Sequence, residues 1–86
     1  MADYAITFAR SARKELECLD AKLVQRIWTK IEAFTTDARP TGCKKLVGQN
    51  DLWRIRVGEY RVIYTIDDRR RVVDVVAISH RRDAYR

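Results

Sequence analysis

Arg54, Arg56 and Arg61 are the residues of this chain best placed to do chemistry, because the sequence predicts all three on one face of a single β-hairpin. Leu52-Trp53-Arg54-Ile55-Arg56-Val57 alternates apolar and polar residues with the period of a half-buried strand. Tyr60-Arg61-Val62-Ile63-Tyr64-Thr65-Ile66 is a second strand, rich in aromatic and β-branched residues. Only Gly58 and Glu59 separate them, and a two-residue loop that opens with glycine suits a type II′ turn. That loop length sets Val57 opposite Tyr60, Arg56 opposite Arg61, Ile55 opposite Val62, Arg54 opposite Ile63 and Trp53 opposite Tyr64. Trp53, Ile55, Val57, Tyr60, Val62 and Tyr64 then form a core face, and the three arginines share the other. Like charges directly across strands cost from a few tenths to about 1 kcal/mol. A face built at that cost fits a polyanion.

A cationic face of this kind can act on RNA. Cleavage by internal attack needs a group to take the proton of the ribose 2′-OH, cations around a phosphorane-like transition state, and an acid for the leaving 5′-oxygen. Arginine suits the middle role, since its guanidinium stays charged and forks onto phosphate oxygens. It suits the proton transfers poorly, because a pKa above about 12 leaves almost no neutral form at pH 7. His80 is the side chain whose ordinary pKa lies near neutrality, and nearby Tyr85 can stack on a base or share in proton transfer. The same residues also suit a solvated sheet face, a polar strand end and a tail aromatic, so spacing alone leaves both readings open. No Ser-His-Asp set, paired carboxylate site or Gly-rich phosphate loop can be assembled, and Trp28 and Trp53 read as core.

The elements that must carry this face follow from periodicity. Tyr4-Ala5-Ile6-Thr7-Phe8 is a short alternating strand. Ser11 is a candidate N-cap for a helix through Cys18, with Ala12, Leu16 and Leu19 at helical spacing. Asp20 caps a longer helix, in which Leu23, Ile27, Ile31 and Phe34 form an apolar stripe that Val24 and Trp28 widen. Few polar readers near its start argue against a helix-turn-helix over residues 11–34. Thr35 to about Asp51 reads as a loop containing Pro40 and Gly42. Asp67-Asp68-Arg69-Arg70 makes a turn into a last strand from Arg71 to about Ser79. Its facing is ambiguous, because Asp74 interrupts one parity while Arg81 continues the other. The order is β-α-α-β-β-β, an α+β fold with two N-terminal helices on one face of a mainly antiparallel sheet, as a single domain over residues 1–86.

Composition narrows the partners. The 86 residues carry 18 Lys and Arg against 12 Asp and Glu, a net charge of +6, which points to nucleic acid or an acidic protein. Cys18 and Cys43 form no CxxC, and one histidine in the chain leaves a zinc set improbable, so no metal or other cofactor is expected. The N-terminus lacks a signal-peptide pattern and no apolar run approaches the roughly 20 residues of a membrane span. A reduced, cytoplasmic protein without a membrane association is expected.

Lys45-Leu46-Val47-Gly48, then the hairpin from Leu52 to Tyr64, then Ile78-Ser79-His80-Arg81-Arg82-Asp83-Ala84-Tyr85-Arg86 closely resemble the RelE branch of the RelE/ParE toxin superfamily over nearly the whole chain. The resemblance implies a bacterial or archaeal type II toxin that binds the A site of the small ribosomal subunit. There it would cut mRNA without a metal, leaving a 2′,3′-cyclic phosphate and a 5′-hydroxyl, until a cognate antitoxin neutralises it. The family's basic site residues match Arg54, Arg56, Arg61 and Arg81, and its C-terminal tyrosine matches Tyr85. On this reading Arg61 and Arg56 stabilise the phosphate, Arg54 positions the backbone, Arg81 assists the leaving group, His80 transfers the proton and Tyr85 orients the nucleotide. Lys44, Lys45, Arg82 and Arg86 are expected to contact RNA or the ribosome. One departure is that the family's best-known pattern has lysines, one of them the general base, where this chain has Arg54 and Arg56. The alternatives are the ParE branch, which shares the fold and poisons DNA gyrase, and a non-catalytic basic binding domain.

Overall fold

The structure is a computed structural model that describes residues 3–46 and 52–80. Its elements run β1 (Ala5–Phe8), α1 (Arg10–Glu17), α2 (Ala21–Glu32) with a 3₁₀ turn at Ala33–Thr35, β2 (Lys44–Lys45), β3 (Leu52–Val57), β4 (Tyr60–Asp67) and β5 (Val72–His80). The sheet order is β1-β5-β4-β3-β2. β1 lies parallel to β5 and the other pairings are antiparallel. This is the α+β arrangement that periodicity predicts, with one addition. Inside the expected loop, Lys44 and Lys45 pair with Arg54 and Trp53 as a short edge strand.

Both helices pack on the same side of the sheet. Ile27 and Ile31 of α2, Ala12 of α1 and Phe34 are fully buried with Ile55, Val62, Tyr64, Val73, Val75 and Ile78. Asp20 caps α2 as expected, its carboxylate accepting from the Leu23 N–H at 2.9 Å. Ser11 does not cap α1. The N-cap is Ala9, whose N–H donates to the Val75 carbonyl at 2.8 Å. A bond to the sheet therefore sets where this helix starts, in place of a local side chain. Trp28 is not core either: it is 39% exposed and stacks on Phe8 at the outer flank, 6.1 Å between centroids.

Two details of the sheet place the side chains. Gly58 has φ +60°, and Glu59 is not among the described residues with positive φ, which is the pattern of a II′ turn. The β3–β4 register is the one that turn requires, Arg56 opposite Arg61 included. Along β4 and β5 the register then slips: Ile63 pairs with Ala77 but Tyr64 with Val75. Val76 is thus the extra residue of a β-bulge, and a bulge shifts every later side chain to the opposite face. This resolves the ambiguous facing of β5. Val73 and Val75 face the helices before the bulge, Ile78 and His80 after it.

The segment before β2 is tied down from two sides. Tyr64 lies under Phe34, 4.2 Å between ring centroids, and its hydroxyl donates to the Ala38 carbonyl at 3.1 Å. Burial, helped by Cys43, pushes the phenol well above its ordinary pKa. Arg39 forks onto Asp68 at 3.1 and 2.8 Å and lies 4.9 Å over the Trp53 ring, while Tyr4 donates to the same carboxylate. Those bonds, Arg39 first, hold the Asp68 carboxyl down to about 2. A depressed carboxyl stabilises the fold above its unfolded pKa, near 3.9, and loses that effect as pH falls through the folded value. Asp68→Asn is therefore expected to melt below the parent protein at pH 6, with the difference in Tm closing between about pH 4 and pH 2. Tyr64→Phe should cost about 1–2 kcal/mol in urea denaturation, because the Ala38 carbonyl loses its buried donor.

Candidate functional site

The face turned away from the helices is organised in rows set by strand pairing. Lys44, Arg54, Ile63 and Ala77 stand side by side across β2, β3, β4 and β5, and Arg56, Arg61 and Ser79 form the next row toward the hairpin turn. Two rows from Arg56 and Arg61, Thr7, Asp74 and Thr65 align, and the Thr7 hydroxyl donates to Asp74 at 2.7 Å. Asp74 is thus kept at the opposite end from the guanidinium pair, and already occupied.

The cations differ in setting. Lys44 and Arg56 are exposed and Arg54 is half-buried. With Gly42 they line a shallow hollow of about 250 Å³. Gly42 has φ +95°, a left-handed turn that suits glycine and brings the chain into β2. Among the described residues the ion pairs are Arg13–Glu17 and Arg39–Asp68, so Lys44, Arg54 and Arg56 are not neutralised by a carboxylate. Arg61 is the exception to an open face, at only 8% exposure. A guanidinium held this way presents a fixed charge and loses little further side-chain freedom on meeting a phosphate, which is the arrangement that electrostatic stabilisation of a transition state needs. Ile63 and Ala77, partly buried, continue the row beyond Arg54.

Of the residues expected from sequence, the structure brings together Lys44, Arg54, Arg56 and Arg61. Lys45 pairs with Trp53 and so points to the helix side. His80 is placed apart from them. It pairs with Tyr60 and its ring meets that tyrosine edge-to-face at 5.1 Å, so the bulge at Val76 has carried it to the helix face, away from the arginines. Ser79 stands opposite Arg61. Arg81, Arg82, Tyr85 and Arg86 lie outside the described residues. The sequence reading missed Ser79; it expected Lys44 at the RNA but not its pairing with Arg54, because two residues are too short a run to show alternation. Among the described residues no group of three or more His, Cys, Asp or Glu side chains converges, and no helix is long and apolar enough to cross a membrane.

Comparisons with known proteins now bear on this arrangement. Residues 6–85 match the family model described as the ParE toxin of the type II toxin-antitoxin system, parDE. The solved archaeal RelE-RelB complex from Pyrococcus horikoshii contains a chain that superposes with a TM-score of 0.82 at 25% identity, over 92% of this chain and 96% of that one. The intact RelBE toxin-antitoxin complex of E. coli matches with a TM-score of 0.80 at 25% identity, over 90% of this chain and 95% of that one. A YoeB/ParE toxin from Agrobacterium tumefaciens shares the fold, with a TM-score of 0.78 at 19% identity, over 88% and 96% of the two chains. No curated protein matches the sequence. The placement of His80 has a direct consequence. His80→Ala should lower stability by about 0.5–1.5 kcal/mol through the lost ring pair.

Proposed function

The chain belongs to the ParE toxin family of type II toxin-antitoxin systems, within the RelE/ParE superfamily on its RelE side, and from that premise we propose that it is a ribosome-dependent endoribonuclease. In this reading the ribose 2′-oxygen of an A-site mRNA nucleotide attacks the adjacent phosphorus and the bond to the 5′-oxygen breaks. The products are a 2′,3′-cyclic phosphate and a 5′-hydroxyl. The observation that carries the proposal is the pairing of Arg56 with Arg61 and of Lys44 with Arg54 on one sheet face. It puts four cations in two adjacent rows, and among the described residues no ion pair involves Lys44, Arg54 or Arg56.

The roles follow from setting. Arg61, buried and fixed, supports the charge that grows on the non-bridging oxygens, and Arg56 across from it completes the pair. Arg54 and Lys44, lining the hollow, hold the neighbouring backbone. Arg81 and Tyr85 keep the roles that resemblance gives them, beside the leaving group and the attacked nucleotide. Proton transfer does not fall to His80. A face built for charge and poor in acids and bases depends on alignment of the 2′-OH, and well-aligned intramolecular attack gains up to about 7–11 kcal/mol. The ribosome supplies that alignment, so free RNA is a poor substrate. A cognate antitoxin is the inhibitory partner, as RelB is the partner of RelE in the complexes named above.

Removing one such cation from a phosphorane-like transition state should cost about 10²–10³-fold in the cleavage step. Arg56→Gln, at an exposed position, tests this without disturbing the fold. Arg61→Ala should be at least as damaging to single-turnover cleavage of ribosome-bound mRNA, with circular dichroism confirming that the variant is folded. If both variants, folded, keep full activity, the placement is wrong. Growth arrest with continued translation and damaged DNA would instead favour action on gyrase, the alternative that resemblance to the ParE branch implies.

A further inference from the structure

The cationic face does not end at the hairpin. Beyond the Gly58 turn the guanidinium of Arg26 lies against the glycine, so near that a Cβ there would sit 3.4 Å from its Nη2. Arg26, Thr29 and Lys30 of α2 line a hollow of about 320 Å³ together with Arg56, Val57 and Gly58. Arg56 therefore belongs to two hollows, one on the sheet face and one over the hairpin tip. Lys22, Arg26 and Lys30 are spaced four residues apart and all are exposed, a row about 12 Å long at 1.5 Å per residue. None of them is in an ion pair among the described residues. Glu59, the other turn residue, is exposed and forms no ion pair with Arg26. The acid of α2, Glu32, lies six residues from Arg26 and off this row.

We propose that Lys22, Arg26 and Lys30, continuous with Arg56 across the Gly58 turn, form a second phosphate-binding rail that holds the backbone of structured RNA outside the cleavage face. The chemistry favours RNA over a protein partner. Protein interfaces centre on buried apolar and aromatic anchors and are depleted of lysine, while this row offers only Lys, Arg, Gln25 and Thr29. Trp28, the exposed aromatic of α2, packs on Phe8 two positions round the helix. Rows of Lys and Arg without base-reading aromatics are what sequence-independent backbone contact uses. The rail deepens the reading of the protein as acting on RNA, and rests on it, by supplying register and affinity at a distance from the reacting phosphate.

The test is binding, so that it can fail separately from the activity. Affinity of the full chain for a labelled RNA duplex of about 20 base pairs is measured across a salt series, for the parent and for Lys22→Gln/Arg26→Gln/Lys30→Gln. With roughly 0.7–0.9 released counterions per phosphate contact, the triple variant should flatten the slope of log K against log salt by about 2.1–2.7. Lys22→Gln/Lys30→Gln, which leaves Arg26 on the turn, should flatten it by about 1.5, and Lys22→Arg/Lys30→Arg should leave it unchanged. Equal slopes for parent and folded triple variant, or a parent that does not bind the duplex, overturn the rail. So does a loss confined to binding of a polyglutamate peptide, which would assign the row to an acidic protein. An inactive protein whose slopes still differ as expected would sink the ribonuclease reading and leave the rail standing.

Discussion

The two-residue turn at Gly58 is the constraint on which the rest depends. Its positive φ closes β3 on β4 in one register only, because a slip by one residue would bring Arg54 and Arg56 into the core and turn Ile55 and Val57 out to solvent. Burial of Ile55, Val57, Val62 and Tyr64 against α2 and Phe34 thus drives the arginines onto the other face without any attraction between them. The apolar side supplies the free energy that offsets the repulsion of Arg56 and Arg61, and the site exists because the core does. Tyr64 joins the two sides again, since its hydroxyl on Ala38 helps seat the segment that delivers Gly42 and Lys44.

Much of this was legible from residue types. The hairpin register, the Asp20 cap, the apolar row of α2 and the shared face of Arg54, Arg56 and Arg61 are local or period-two features, and each stands in the structure as read. What escaped was non-local. The Ala9 start of α1 is set by a bond to β5, and the pairing of Lys44 with Arg54 spans a two-residue strand. Trp28 fits an apolar stripe by spacing, but its ring stacks on Phe8 and stays exposed. The bulge at Val76 matters most, because a run of Val, Ile and Ala does not mark which residue is extra. That single insertion exchanged His80 for Ser79 on the arginine side.

The consequence is a site that holds charge well and moves protons poorly. A guanidinium fixed by burial and three cations beside it can stabilise a developing dianion, but none of them is a ready base. Such a site gains from being brought to a substrate already bent toward reaction, which is how a ribosome-bound messenger would complete it. Lys44, Arg54 and Arg56, in no ion pair among the described residues, give an acidic partner an evident surface to cover.

A reconstituted translation reaction with a defined mRNA, the purified protein and primer extension tests the central claim most directly. The account predicts cuts within the A-site codon only when ribosomes are present, undiminished by chelator added after stalling at a level that leaves ribosomes intact. Cuts in free RNA at a comparable rate, or no cuts by a folded protein on stalled ribosomes, would contradict it.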